Sequence, residues 1–207
     1  MKQTLSFIAG LLVMFAMLAT TTAAVEKKGP DALVEELYSA WLSKARVQKS
    51  ELQKNPKKLY ALADEITAPY IDYTRFSRLV LGKHWRSASE TQRSRFEKEF
   101  RRHLVRTYAT ALLTYVDAEF KFIPSKYKEG DKQVLVRTET RPKDGGPKIS
   151  VNYILYNKEG VWQAMDVAIE GISIVATLRS IVRSEVHNKS LDAVIEELAA
   201  KNRRAGL

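Results

Sequence analysis

The sequence predicts an α+β fold, a twisted antiparallel four-stranded sheet with helices packed on one face, and three observations predict it. The apolar period is helical through the first half of the chain, switches to two after Tyr115, and becomes helical again after Gly171. The period-two segments are consecutive and joined by short turns, which suits a meander rather than parallel strands with crossover helices. With 207 residues, 45% hydrophobic and 28% charged, the chain has the composition of an ordinary globular domain.

Before the fold begins, Lys2, the apolar run from Leu5 to Ala19 and the small residues Thr20 to Ala24 form a signal-peptide pattern. Cleavage is expected after Ala24, leaving residues 25–207 as one domain: helical over 30–115, sheet over 116–170, C-terminal helices over 173–201. A retained membrane anchor is the alternative, but the run is short for a span. No cysteine follows that could carry a lipid anchor.

Pro30-Asp31 opens a first helix in which Leu33, Leu37, Trp41, Leu42 and Ala45 make one apolar face. Asn55-Pro56, a cap residue followed by proline, starts a second with Leu59, Leu62 and Ile66, stopped by Pro69. Ile71-Asp72 introduces a short third helix that buries Phe76, Leu79 and Val80 and ends at Leu81-Gly82. Ser89 and Gln92 have capping-box spacing and begin the longest helix, which runs to about Tyr115 with Phe96, Phe100, Leu104, Tyr108, Leu112 and Tyr115 as its inward series. Val116, Ala118, Phe120 and Phe122 alternate with polar residues in a strand ending at Pro124. Val134 to Thr138, Ile149 to Leu155 and Val161 to Ile169 are the next three, and Gly171 breaks the pattern. Two helices close the chain, Ile174 to His187 and Ser190 to Lys201.

The chain lacks cysteine, which excludes disulfides, thiol nucleophiles and Cys-bearing metal sites. Its three histidines, His84, His103 and His187, have no metal-ligand spacing, and no cofactor or metal motif is present. Asp166 and Glu170 stand four apart and could serve as paired acid and base, or could cap the following helix. The net charge is +10, or +9 once the leader and its one lysine are removed. Eight basic residues against three acids fall between Lys83 and Arg106, the footprint of an anionic partner or simply a solvated face. Export makes nucleic acid a poor candidate for that partner. The apolar faces of the sheet and long helix could enclose a ligand or close as an ordinary core, and periodicity does not separate the two.

Leu81-Gly82-Lys83-His84-Trp85-Arg86, then Gln92-Arg93 with Phe96 and Phe100, Tyr108 and Tyr115, and finally Trp162, Asp166-Val167 and Glu170-Gly171-Ile172-Ser173 before Arg179 together resemble the MlaC, or toluene-tolerance auxiliary, family. The resemblance covers roughly Pro30 to Ala200. It departs near the last helix, where members often carry a glycine and this chain has Asn188-Lys189-Ser190. It implies a nuclear-transport-factor-like sheet with added helices and a periplasmic, non-enzymatic phospholipid carrier. The implied partners are a diacyl phospholipid, an outer-membrane lipoprotein–porin complex and the substrate-binding ring of an inner-membrane ABC transporter. On that reading the lipid-binding residues are Tyr108, Leu112, Tyr115, Val134, Val136, Val151, Tyr153, Val167 and Ile169. The docking residues are Lys83, Arg86, Arg93, Lys98 and Arg101, and a monomer is the simplest state for a shuttle. The alternatives are an exported enzyme using Asp166 or Glu170 on a small hydrophobic substrate, and a secreted basic adaptor with a closed core.

Overall fold

A computed structural model describes residues 28–206, so the expected leader and its cleavage site lie outside the described residues. Helix α1 (Pro30–Ala45) starts with proline in its first turn, where a missing N–H costs nothing. A short α2 (Lys49–Lys54) leads to α3 (Pro56–Thr67), whose Asn55 cap accepts from the Lys58 N–H at 3.2 Å. After a single 3-10 turn (Ala68–Tyr70) comes α4 (Tyr73–Leu81), capped by Asp72 accepting from the Arg75 N–H at 2.8 Å. Gly82, at φ 55°, ends it in a backbone conformation that side chains disfavour. One turn, α5 (His84–Ser87), precedes α6 (Glu90–Thr114). The capping box predicted there forms: Gln92 N–H donates to Ser89 Oγ at 3.1 Å and Ser89 N–H to Gln92 Oε1 at 2.9 Å.

The sheet is antiparallel in the order β1 (Glu119–Ile123), β2 (Gln133–Arg141), β3 (Ile149–Lys158), β4 (Val161–Ile169), β5 (Ile172–Ser173). Among the described residues it therefore has five strands rather than the expected four. Glu170 (φ 51°) and Gly171 (φ 78°) do not stop the sheet but turn it through a two-residue hairpin, a job that positive φ at both positions suits. The first strand also starts later than alternation suggested, because Val116 and Ala118 are buried in the turn that leaves α6. Helices α7 (Ile174–Asn188) and α8 (Leu191–Arg204) follow. The turn between them needs no glycine: Lys189 is extended at φ −152° and Ser190 caps α8 by accepting from Ala193 N–H at 3.2 Å.

Three adjoining clusters make the interior. Trp41 and Ala45 of α1 pack with Leu59, Ala63 and Ile66 of α3 and Val105, Ala109 and Leu113 of α6. Phe76 and Val80 of α4 pack with Phe96 and Phe100 of α6, Val175 of α7 and Ile195 of α8. Leu33 and Val34 of α1 cover Val134, Val136, Leu155, Trp162 and Ala164 of the sheet. Helices α1 and α6 each serve two clusters and so tie the layers together. Among the described residues no helix is long and apolar enough to cross a membrane.

Candidate functional site

Strand register decides which side chains share a face. Val136 lies opposite Tyr153, which lies opposite Val167; Thr138 lies opposite Val151, which lies opposite Ile169. Val134 faces Leu155 in the same ladder. All six sheet positions predicted to contact a ligand therefore project from one side of the sheet. A bulge at Met165 between the Leu155–Ala164 and Ile154–Asp166 pairs preserves this, since without it Ala164 and Val167 would point to opposite sides.

That face is only partly closed. The N-terminal half of α1 seals Val134 and Val136, which are buried with Leu155, Trp162 and Ala164. Val151, Val167 and Ile169 are half-buried and, among the described residues, belong to none of the three clusters. Ile172, paired with Ile169 across the hairpin, is 66% exposed. The face thus runs from a packed end into an open apolar end.

Polar atoms are embedded on this face, in the rows that lead to Val151 and Ile169, since Phe122 pairs with Thr138 and Thr138 with Val151. Tyr38 of α1 lays its ring against Phe120, with centroids 3.6 Å apart, and edge-on to Phe122 at 5.9 Å. Its hydroxyl is sealed from solvent and, among the described residues, has no hydrogen-bond partner. Burial raises its pKa well above the ordinary tyrosine value. Burial also pushes the Tyr153 hydroxyl up to about 12, against a hydrogen bond with Thr138 that lowers it. The Thr138 hydroxyl itself donates to the Val151 carbonyl at 2.9 Å. Tyr38 was not singled out from sequence, because a tyrosine beside Leu37 in an amphipathic helix carries no mark of what it faces.

The long helix contributes differently from the periodicity. Each four-residue step overshoots a full turn by about 40°, so Leu112 sits about 160° around the helix from Phe96. Phe96, Phe100 and Leu104 are buried, Tyr108 is half-buried, and Leu112 is 39% exposed while Leu113 is buried. Leu112 is therefore not part of a continuous inward stripe. Tyr115 is half-buried at the helix end. The pKa of the Tyr108 hydroxyl is raised by burial and then by the Asp166 carboxylate, and its ring packs against the cluster of Phe76, Phe100 and Val175.

Both candidate carboxylates are occupied. Asp166 accepts from Ser173 Oγ at 2.5 Å, from Val175 N–H at 3.0 Å and from Val167 N–H at 2.8 Å, holding the start of α7. Glu170 accepts from the Ser150 N–H with its side chain, and its own N–H donates to the Ser150 carbonyl at 2.9 Å. The five predicted docking bases divide into two groups. Lys83, Arg86 and Lys98 are exposed and make no ion pair among the described residues. Arg101 forks onto Asp64 with both contacts at 2.7 Å, and Arg93 donates to the Trp85 and Arg86 carbonyls at 2.9 and 3.3 Å. A groove of about 820 Å³ between α3 and α6 contains Arg93, Lys98 and Arg101, with Trp85 and Asp64 in its walls. It lies on the helical half, away from the sheet.

The family model described as MlaC protein matches residues 35–200. The chain belongs to the MlaC family. Among its MlaC relatives, toluene tolerance protein ttg2D of Pseudomonas putida is 28% identical over 166 residues, covering 80% of this chain and 75% of the relative. The intermembrane phospholipid transport system binding protein MlaC of Haemophilus influenzae is 27% identical over 170 residues, covering 79% and 77%. A solved phospholipid-binding protein from Ralstonia solanacearum, in complex with a phospholipid, shares the fold at a TM-score of 0.79 and 20% identity, covering 87% of this chain and all of that one.

Proposed function

We propose that this protein is a periplasmic phospholipid carrier, moving lipid between an outer-membrane lipoprotein–porin complex and an inner-membrane ABC transporter so as to maintain outer-membrane lipid asymmetry. The observation that carries the reading is the sheet face that α1 closes at one end and leaves apolar and half-open at Val151, Val167 and Ile169. The names of its MlaC relatives, one a phospholipid transport binding protein, point the same way.

The physics favours a carrier. At about 0.8 kcal/mol per CH₂, leaving one sixteen-carbon chain in water costs on the order of 12 kcal/mol, so a free two-chain lipid does not cross an aqueous gap at a useful rate. A site that covers the tails and leaves the headgroup at the mouth removes most of that barrier without chemistry on the lipid. Tyr108, Tyr115, Val134, Val136, Val151, Tyr153, Val167 and Ile169 would line it, with Leu112 at its margin. Asp166 and Glu170, engaged in holding α7 and the β4–β5 hairpin, favour this reading over the enzymatic one.

The test is lipid recovery. Purified wild type should yield diacyl phospholipid by extraction and mass spectrometry, whereas Val151→Trp and Val167→Trp, which add bulk at the open end, should lose most of it while keeping the far-ultraviolet circular dichroism of the wild type. Undiminished lipid in both folded variants would sink the assignment of the face. Chemically altered lipid would favour the enzyme.

A further inference from the structure

Among the described residues, the hydroxyl of Tyr38 at the candidate site is sealed from solvent and has no hydrogen-bond partner. Its ring is fixed by Phe120 and Phe122 of β1, so the oxygen does not swing freely out to water. Among the hydroxyls on the same face, that of Thr138, opposite Phe122, gives its one proton to the Val151 carbonyl. A buried hydroxyl without a partner is unfavourable unless something that enters the site supplies an acceptor. An uncharged acceptor suits the site, since an anion would have to be desolvated against the Phe120 and Phe122 rings, while Arg46, the cation that acts on Tyr38, already donates to the Val116 carbonyl at 2.9 Å.

We propose that Tyr38 donates a hydrogen bond to an acyl ester carbonyl of the bound lipid and thereby sets how deep the chains sit. The inference rests on the carrier reading. In a two-chain glycerolipid the ester carbonyls are the neutral acceptors at the junction of headgroup and tails, so they reach the apolar interior with the chains. Recognition there is blind to the headgroup and specific for the linkage. The raised pKa of Tyr38 keeps it protonated, hence a donor, throughout the physiological range.

The experiment compares two phosphatidylethanolamines of equal chain length, one diacyl and one dialkyl with ether links that lack carbonyls. They compete for the delipidated mature protein, with bound lipid read by native mass spectrometry. Wild type should favour the diacyl lipid by about two- to tenfold, the range of one net hydrogen bond. Tyr38→Phe, which keeps the ring and removes only the donor, should bring that ratio close to one. Its lipid-free form should melt no lower than the wild type, because no internal partner is lost. A wild-type ratio of one, a ratio unchanged in Tyr38→Phe, or a lowered melting temperature of the lipid-free variant overturns the role of Tyr38 and leaves the carrier standing. Failure of either lipid to bind overturns both.

Discussion

His103 shows how much one side chain on a basic helix is governed by its neighbours. Arg106 Nη2 donates to His103 Nδ1 at 3.1 Å, and Lys201 approaches from α8. Desolvation, then the charges of Arg106 and Lys201, lower its pKa from 6.5 to about 4, so the folded protein holds it neutral. Unfolding releases the ring to its ordinary pKa, so between about 4 and 6.5 the unfolded state binds more protons and acid favours unfolding. Stability should be full above pH 6.5 and fall by about 2–3 kcal/mol as pH drops towards 4. Urea titrations of wild type and His103→Gln across that window check this: the variant should lose less stability on acidification. Equal slopes would mean that carboxylates alone account for the acid sensitivity.

At the scale of the element, α6 and α7 illustrate two ways in which a helix is placed. Helix α6 is buried on nearly opposite sides at its two ends, by Phe96, Phe100 and Leu104 and then by Val105, Ala109 and Leu113. A two-sided helix has no single apolar stripe, so a repeating four-residue pattern tracks its surface only for the first few turns. Helix α7 depends instead on its first turn, where Asp166 reaches across from β4 to the Val175 N–H and Ser173 Oγ, and Ser173 Oγ accepts from Ala176 N–H at 2.9 Å. Removing a partly buried acceptor of this kind costs about 1–3 kcal/mol. Asp166→Ala should therefore lower the melting temperature by roughly 3–10 °C, with Asp166→Asn, which keeps an acceptor, intermediate. A melting temperature unchanged in the alanine variant would show that α7 is set by packing of Val175 alone.

Over the whole molecule, the positive charge is unevenly used. Arg93 and Arg101 hold the helical half together, Arg101 also lying over the Tyr73 ring at 5.0 Å, so reversing them would test folding as much as docking. Of the five predicted docking bases, Lys83, Arg86 and Lys98 are exposed and form no ion pair among the described residues, so these three are available to an acidic membrane or protein surface. At roughly 1 kcal/mol per base near an anionic surface, reversing all three to Glu should slow lipid transfer to either reconstituted membrane complex by about tenfold or more at low salt. The difference should shrink towards 1 M salt, where the screening length falls to about 3 Å. Transfer that is equally fast in the variant at low salt would remove these residues from the docking surface.

The sequence by itself determined the α+β class, the succession of a helical half, an antiparallel sheet and closing helices, the helix caps at Asn55, Asp72 and Ser89, and the alternation that puts Val134, Val136, Val151 and Tyr153 on a common side. Each of these is local, carried by a residue and its neighbours a few positions away. Tertiary structure alone decided that Leu113 rather than Leu112 is buried, that a bulge at Met165 brings Val167 and Ile169 to the same face, and that a fifth strand follows Gly171. It also separated bases already paired, such as Arg101, from those that make no ion pair among the described residues, and sealed the Tyr38 hydroxyl where no described residue partners it. These outcomes depend on which element lies against which, as with Arg101 and Asp64, 37 positions apart in the chain. The half-open end of the sheet is of the same kind, because a ligand-binding face and a closed core share one hydrophobic period and differ only in what is packed on top.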